Sequence, residues 1–142
     1  ERNSYGKDFD RDTYTCEVRD ALIGHEIDLI AMAGFGTILN KPIYDDFSNR
    51  ILNTHPSLLP SFPGWHAVEE ALEYGVKVTG CTVHIATEEV DAGPILAQES
   101  IPVLKDDTKE TLHERIKKVE RQLYVDTLNK IIATNGQIER DQ

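Results

Sequence analysis

The chain has 142 residues, a length that suits one domain with a sizeable hydrophobic core. Its 25 acidic residues outnumber its 15 basic residues, and the formal net charge of −10 argues against nucleic acid or an anionic membrane surface as partner. No apolar run approaches the roughly 18 residues that a membrane-spanning helix needs. The two cysteines, Cys16 and Cys81, are too few for a disulfide framework, so composition favours a protein of the reducing cytoplasm.

The beginning of the chain is unusual for a complete translation product. The first residue is Glu1, the only methionine is Met32, and no signal or transit pattern accounts for this start. We therefore expect the sequence to be a fragment, a cleaved product or one piece of a two-chain enzyme. Within it we expect a single domain over residues 1–142, with polar tails at residues 1–9 and 137–142.

The first half of the chain alternates helical and strand-like patterns. Apolar residues at helical spacing predict helices, and continuous apolar runs predict strands that are covered on both faces. In chain order these are a helix over 13–23, a strand over 27–33, a helix over 41–47 and a strand over 50–54. Asn40 followed by Pro42 supplies an N-cap and an early proline for the second helix. A strand–helix–strand unit of this kind places its two strands parallel.

The second half predicts two further strands and two further helices. A helix over 66–74 should end at Gly75 in the left-handed conformation, and strands follow over 78–85 and 95–103. Asp107 and Glu110 have the spacing of a capping box at the start of a long helix that ends near residue 135. Its apolar stripe, which should pack on the sheet, is Leu112, Ile116, Val119, Leu123, Leu128 and Ile131. The predicted fold class is α/β, with a mostly parallel sheet flanked by helices.

The segment 53–64 reads Asn-Thr-His-Pro-Ser-Leu-Leu-Pro-Ser-Phe-Pro-Gly and is the most informative part of the chain. Residues two apart in a strand project to the same side, so Asn53 and His55 can face one reacting centre together. The prolines stiffen the loop that leaves the strand, and a rigid loop with a titratable ring is a plausible catalytic platform. The alternative is a proline-rich connection whose histidine only satisfies local hydrogen bonds.

Two further loops leave the ends of predicted strands. The 34–39 loop begins Gly-Phe-Gly, and the acidic 86–93 loop carries Asp91, which could orient an imidazole. Ligands of open α/β sheets bind beyond the carboxyl ends of the strands, so these loops and the 53–64 loop should converge on one site. Within a strand, His84 reads more simply as a packed histidine. The other histidines have no catalytic partner residues at a recognisable spacing, and no group of His, Cys, Asp or Glu residues has the spacing of metal ligands.

These ordered motifs resemble the folate-dependent formyltransferases. The matching segments are Asn53-x-His55-Pro-Ser-Leu-Leu-Pro, Gly64, Gly80-Cys-Thr-Val-His84 and Asp91-x-Gly93-Pro-Ile, and the resemblance runs from about Asp10 through the last helix. It implies the formyltransferase fold, which is Rossmann-like. In that family a first strand and a glycine-rich turn that binds the substrate phosphate come before the matching region. We therefore expect the leading strand–helix units, with this phosphate-binding loop, to be missing from the chain.

The resemblance also implies a reaction. The co-substrate would be 10-formyltetrahydrofolate, whose formyl group passes to the amine of glycinamide ribonucleotide in purine biosynthesis, without a metal. In the tetrahedral adduct, the Asn53 amide would donate to the oxyanion and His55 would act as second donor and proton carrier. Asp91 would orient the ring and pass protons through water. These small molecules are the expected partners, together with a second copy of the chain or the missing N-terminal segment.

The binding residues follow from the same resemblance. Glu120 would bind the ribonucleotide, and Lys117, one turn away, is a weaker candidate. The family often has Met-Arg where this chain has Gly-Thr at 36–37, and Arg11 could equally be a solvated arginine before a helix. The implied folate positions are Arg11, Gly36, Thr37, Ile38, Leu39, Asn53, Ala86, Thr87, Glu88, Glu89 and Val90.

Three alternatives remain open. Methionyl-tRNA formyltransferases typically have Arg-Gly after the Leu-Leu-Pro, an added C-terminal domain and a basic surface. This chain has Phe62-Pro-Gly64 after the Leu-Leu-Pro segment, and its net charge is negative. Formyltetrahydrofolate hydrolase uses the same three polar residues on water. The chain could also be a non-catalytic folate-binding fragment, because it lacks the phosphate loop.

Overall fold

Four helices and four strands make up the part of the chain that the computed structural model describes, residues 6–134. In chain order they are α1 (Arg11–Gly24), β1 (Ile30–Ala31), α2 (Lys41–Asp46), β2 (Ile51–His55), α3 (Ala67–Tyr74), β3 (Val78–Ile85), β4 (Ile95–Pro102) and α4 (Lys109–Ala133). The tails expected at residues 1–5 and 137–142 lie outside the described residues. Residues 6–9 of the first tail are described, and Phe9 there stacks against Tyr14 with a ring-centroid distance of 5.5 Å.

The strands form one mixed sheet with the order β1-β2-β3-β4. β1 is parallel to β2, while β2 and β3, and β3 and β4, are antiparallel. The predicted α/β class with flanking helices is confirmed, and the predominance of parallel pairs is corrected for the described strands. All residues of β3 except Val78 are buried, and helices can cover both faces of a strand whichever way the neighbouring strands run. The short 86–94 connection permits an antiparallel β4, whereas a parallel one needs a crossover.

The strand predicted over 27–33 is much shorter in the structure. Only Ile30 and Ala31 pair with β2, through registers with Ile51 and Leu52. Its hydrogen bonds run from the N–H of Ile30 to the Arg50 carbonyl at 2.8 Å and from that of Met32 to the Leu52 carbonyl at 2.9 Å. An apolar run becomes a strand only where a neighbour continues the ladder. Residues 27–29 come before the start of β2, and the pairing stops after Ala31 although β2 continues to His55.

The helices α1 and α2 cover one face of the sheet. The buried residues of this layer are Leu39, Ile43, Phe47, Ile51 and Ala86. The side chain of Asp10 caps α1 by accepting from the N–H of Thr13 at 3.0 Å. Asn40 is the N-cap residue of α2, as predicted, but its side chain makes no capping hydrogen bond within the described chain. Its amide donates to Asp12 instead, and this contact joins the two helices.

The long helix α4 covers the opposite face. Its predicted apolar stripe packs on the sheet, with buried members in contact with β2 and β3, namely Leu112, Ile116 and Ile131. The capping box is shifted by one residue from the prediction. Thr108 accepts from the N–H of Thr111 at 3.2 Å, and the Thr111 hydroxyl accepts from the N–H of Thr108 at 2.9 Å. Asp107 accepts from the N–H of Leu104 at 2.7 Å instead, which fixes the turn before the helix.

Candidate active site

Strand β2 places two polar side chains on the α1/α2 face of the sheet. Its alternation buries Leu52 against α4 and turns Asn53 and His55 to the other side. Their cross-strand neighbours on β3 are His84 and Thr82 respectively, and directly opposed residues share a face. The spacing that the sequence indicated for Asn53 and His55 is therefore the spacing of one strand face.

A cavity of about 460 Å³ opens beside this face. It is lined by residues of the 34–38 loop, the end of β2, the 86–91 loop and one side of α4. Of the residues singled out from the sequence, the lining includes Gly36, Thr37, Ile38, Asn53, His55, Ala86, Thr87, Val90, Asp91 and Glu120. The structure thus brings together the amide, the imidazole and the carboxylate expected from the motifs.

The pair formed by His55 and Asp91 is almost completely buried. The two side chains are 5% and 6% exposed, and Nδ1 of His55 lies 3.4 Å from Oδ2 of Asp91. The other ring nitrogen, Nε2, lies 2.7 Å from the carbonyl oxygen of Phe62. Oδ2 of Asp91 also accepts from the N–H of Gly64 at 2.8 Å. Both side chains of the pair therefore have polar partners, as buried polar groups require.

The 86–93 loop reaches the site by a path that the sequence did not predict. Because β3 is antiparallel to β2, its carboxyl end lies beside the start of β2, where the N–H of Ala86 donates to the Ile51 carbonyl at 2.8 Å. The loop then returns along β2 to bring Asp91 to His55, which is at the far end of that strand. The three loops therefore meet at one cavity, as expected, although the carboxyl end of β3 itself lies beside the start of β2.

Gly93 is the residue that allows this return. A Cβ built on Gly93 would lie 1.7 Å from the carbonyl oxygen of Ile85, a distance at which the backbone has to move. Asp91 itself has a positive φ of 56°. A non-glycine residue in this region costs free energy that the surrounding contacts must offset. The Asp-x-Gly pattern is thus explained by a tight backbone contact next to the carboxylate.

A second histidine faces Asp91. His84 is 1% exposed, and its Nδ1 lies 3.1 Å from the carbonyl oxygen of Ile85. Its Nε2 lies 3.7 Å from Oδ1 of Asp91 and has no hydrogen-bond partner within the described chain. Burial lowers the pKa of His84, while the Asp91 carboxylate opposes this and His55 adds to it. The sequence indicated a packed histidine; the structure shows one that is packed and also borders the cavity.

The α4 wall carries the residue expected to bind a ribonucleotide. Glu120 lines the cavity, and burial raises the pKa of its carboxyl group, against the lowering effect of a Thr54 hydrogen bond and of His55. Lys117 is not among the described lining residues and pairs with Glu114 instead. His113, for which the sequence showed no constellation, does line the cavity. Burial, and next the charge of Lys117, lower the pKa of His113.

Four residues named as folate contacts lie outside the described lining. Arg11 donates from Nη1 to the carbonyl oxygen of Ile38 at 2.9 Å, so it ties the 36–39 loop to α1. Leu39 is 5% exposed and belongs to the core under α2. Glu88 and Glu89 are exposed on the acidic loop. Folate contact at these four positions stays a prediction; in the structure the Arg11 and Leu39 side chains make other contacts, and those of Glu88 and Glu89 lie in solvent.

Several lining residues had no sequence signal for a binding role. Besides His84 and His113, these are Met32, Gly34, Phe35, Tyr44, Thr54, Pro56, Gly64 and Trp65. Trp65 is 69% exposed and Phe35 is 41% exposed, which is unusual for large apolar side chains. Several of them lie in segments that the sequence highlighted, the 34–39 loop, the 53–64 segment and the Gly80–His84 motif, but their position at the cavity is set by tertiary structure.

Two negative findings apply to residues 6–134. No group of three His, Cys, Asp or Glu side chains is arranged there to hold a metal ion. In the same range, none of the helices has the length and apolar character needed to cross a membrane.

An α/β sheet with a buried imidazole–carboxylate pair at a ligand-sized cavity has the features of an enzyme. Residues 6–128 match the formyl transferase family, and the chain belongs to that family. This agrees with the resemblance seen in the motifs.

Three individual proteins show which members of the family this chain is similar to. The chain is 52% identical over 126 residues to phosphoribosylglycinamide formyltransferase of Mycobacterium tuberculosis strain H37Rv, covering 89% of this chain and 58% of that protein. The crystal structure of glycinamide ribonucleotide transformylase 1 from Symbiobacterium toebii superposes with a TM-score of 0.81 at 45% identity, covering 83% of this chain and 56% of that one. A formyltetrahydrofolate deformylase from Pseudomonas syringae pv. tomato superposes with a TM-score of 0.79 at 32% identity, covering 84% and 40%. The chain thus spans little more than half the length of the first two proteins.

Proposed function

We propose that this chain carries the catalytic residues of an enzyme that transfers a formyl group from 10-formyltetrahydrofolate to the amine of glycinamide ribonucleotide, a step of purine biosynthesis. The observation that carries the proposal is the meeting of Asn53, His55 and Asp91 at one cavity. The 52% identity to a protein named for this reaction supports the choice of substrates. We expect the enzyme to act in the cytoplasm on these small molecules, with a homodimer as one expected assembly.

The reaction begins with attack of the substrate amine on the formyl carbon. A carbon–nitrogen bond forms, and the carbonyl electron pair moves to oxygen, which becomes an oxyanion in a tetrahedral adduct. A donor aimed at that oxygen lowers the barrier, because it meets charge that is absent from the ground state. Asn53 has an amide N–H₂ at the cavity wall and no charge of its own to titrate, so it fits this role.

Collapse of the adduct requires a proton to move. The bond between the formyl carbon and the folate nitrogen breaks, the attacking amine loses a proton, and the departing nitrogen gains one. An imidazole that faces a carboxylate can hold and release this proton near neutral pH. His55 has Asp91 at 3.4 Å, so the carboxylate stabilises the protonated ring and fixes its plane. We assign proton transfer to this pair, with water relaying the proton between the attacking amine and the departing folate nitrogen.

The cavity offers separate surfaces for the two substrates. On one side the lining consists of the Gly36–Ile38 loop and of Ala86, Thr87 and Val90, a largely uncharged surface that suits a flat heterocycle. The α4 side presents Glu120, whose carboxylate can accept hydrogen bonds from ribose hydroxyls. We assign folate to the first surface and the ribonucleotide to the second. At Gly36 and Thr37 the contact with folate would come chiefly from the backbone.

Hydrolysis of the formyl folate is the second candidate. It is favoured by one observation, the TM-score of 0.79 to a protein named as a formyltetrahydrofolate deformylase. Water would then replace the amine as nucleophile, and the same three polar residues would serve. The lower identity to this protein, 32% against 52%, favours the amine as acceptor.

One experiment separates these functions from a folate-binding role without catalysis. Two proteins are compared: the purified chain, and the same chain extended at its N-terminus by the residues that precede the matching region in the Mycobacterium tuberculosis relative. Each is given 10-formyltetrahydrofolate with and without glycinamide ribonucleotide. Formyl ribonucleotide and free formate are then measured separately. Formylated ribonucleotide supports the transferase, and formate without acceptor supports the hydrolase. Binding of a folate analogue by both proteins, without either product, would overturn both catalytic proposals.

A further inference from the structure

The segment Phe62–Gly64 contacts both members of the imidazole–carboxylate pair. The carbonyl oxygen of Phe62 lies 2.7 Å from Nε2 of His55, and the N–H of Gly64 donates to Oδ2 of Asp91 at 2.8 Å. Pro63, which lies between them, has a fixed φ and no N–H of its own. The accepting carbonyl and the donating N–H are therefore carried on either side of a residue with one backbone dihedral fixed.

The contact with Phe62 determines which ring nitrogen of His55 carries the hydrogen in the neutral form. A carbonyl oxygen only accepts, so a contact of 2.7 Å requires a hydrogen on Nε2. The nitrogen that gains and loses a proton is then Nδ1, which faces Asp91 at 3.4 Å. Without the carbonyl, a carboxylate at Nδ1 would draw the hydrogen of the neutral ring to that nitrogen and leave Nε2 bare.

The backbone around this contact is strained. Phe62 has a φ of 51° and Asp91 a φ of 56°; a bulky residue such as Phe62 rarely adopts this region, whereas Asp does so more often. Strain of this kind persists only where surrounding contacts over-determine the conformation, and it is concentrated at functional sites. A buried network supplies such contacts: the Thr82 hydroxyl donates to the Ser57 carbonyl at 2.7 Å and accepts from the N–H of Leu59 at 3.1 Å. The loop leading to Phe62 is thus fixed to β3.

We propose that Phe62–Gly64 is a positioning segment for the catalytic pair: the Phe62 carbonyl keeps the hydrogen of the neutral His55 ring on Nε2, and the Gly64 N–H aims Asp91 at Nδ1. The role in catalysis rests on the proposed formyl transfer, whereas the tautomer is a property of the chain itself. The ring is thereby prepared before a substrate arrives, with a donor on one nitrogen and proton exchange confined to the other.

The tautomer can be read directly by ¹H–¹⁵N correlation spectroscopy of the ¹⁵N-histidine chain, at a pH at which the ring is neutral. His55 is identified among the five histidines by loss of its signals in His55→Gln. The expected spectrum shows hydrogen on Nε2 alone. A neutral ring with its hydrogen on Nδ1 would overturn the proposal, whether or not the chain transfers a formyl group.

A matched pair of glycine variants tests the segment. Gly64 and Gly75 have φ values of 93° and 79°, and a Cβ built on either meets no described atom within 4 Å. Alanine should strain the backbone similarly at both, but only Gly64 contacts Asp91. We expect Gly64→Ala to lose the single-tautomer spectrum and to shift the pH profile of turnover, and Gly75→Ala to lower only the melting temperature. An unchanged tautomer in Gly64→Ala would contradict the proposal.

A second variant covers the case in which Gly64→Ala does not fold. Phe62→Gly keeps the carbonyl but relieves the positive φ, so the peptide group is free to turn away from His55. A mixture of tautomers is expected in this variant as well. Retention of hydrogen on Nε2 alone would show that the segment does not set the tautomer.

Discussion

The N–H of Gly64 donates a 2.8 Å hydrogen bond to Oδ2 of Asp91 and so joins two loops that lie 27 residues apart. The carboxyl group is 6% exposed, and a buried polar group needs hydrogen-bond partners of this kind. The position of Asp91 therefore depends on the proline-containing loop that follows β2 as well as on its own loop. Changes in either loop should reach the imidazole–carboxylate pair.

Replacing Asp91 tests the charge of the pair. Asp91→Asn keeps the side-chain shape and an acceptor for Gly64 but removes the negative charge that faces Nδ1 of His55. We expect kcat for formyl transfer to fall by at least about 10²-fold, because the ring loses its partner for proton transfer. Steady-state kinetics over a pH series measures the effect. Asp106→Asn, at an exposed turn before α4, is the control; a rate near that of the unmodified enzyme would remove Asp91 from the mechanism.

Replacing Asn53 tests the oxyanion donor. Asn53→Ala leaves β2 paired, since its ladder is made by backbone groups, but it deletes the amide at the cavity. Loss of one such donor lowers kcat by roughly 10²–10³-fold with little effect on KM, because the interaction forms only in the transition state. Asn129→Ala, on the exposed side of α4, serves as the control for general effects of the substitution. If KM rose by a similar factor while kcat stayed unchanged, Asn53 would instead be a binding residue.

The strand face could be predicted from the sequence, and the contacts around it could not. The period of two in β2 makes Asn53 and His55 neighbours on one face whatever packs beside the strand. The Asp-x-Gly pattern also signalled the loop, and the contact at Gly93 explains it. The carbonyl of Phe62 carries no signal, because every residue has the same backbone oxygen.

Two other features of the structure also depend on tertiary packing and so could not be predicted from the sequence. His113 reaches the cavity through the way α4 packs on the sheet, and helical periodicity does not fix that position. The direction of β3 was likewise hidden, since a run of strand-forming residues is the same in parallel and antiparallel strands. The roles assigned to the site residues stay predictions, which the variants described here test.

The pKa of Glu120 predicts a stability effect with a definite sign. Burial raises this pKa above the ordinary value of 4.5. Between the unfolded and folded pKa values, the folded state binds more protons than the unfolded state, so the free energy of unfolding falls as pH rises through this window. Glu120→Gln removes the titration, and we expect its stability curve to be flatter there and to lie above that of the unmodified chain at higher pH.

Urea unfolding at a series of pH values measures this difference for Glu120→Gln. Glu70→Gln, an exposed change on α3, should leave the curve as it is and serves as the control. The same Glu120→Gln protein should bind the ribonucleotide more weakly, because an amide accepts fewer hydrogen bonds than a carboxylate. Parallel stability curves for Glu120→Gln and the unmodified chain would show that the carboxyl group is not desolvated by folding.

Gly93, the one glycine in the 86–93 sequence, should not tolerate a side chain. Gly93→Ala places a Cβ 1.7 Å from the Ile85 carbonyl, so the loop must move away from β3 and carry Asp91 with it. Overpacking of this kind costs about 1–3 kcal/mol in stability, and it should also lengthen the His55–Asp91 contact. The control is Gly24→Ala at the end of α1, where a Cβ meets no described atom within 4 Å. Chemical denaturation gives the stability of each variant, and turnover reports the position of Asp91. If Gly93→Ala were as stable and as active as Gly24→Ala, the close approach of the backbone at Gly93 would not determine where the carboxylate lies.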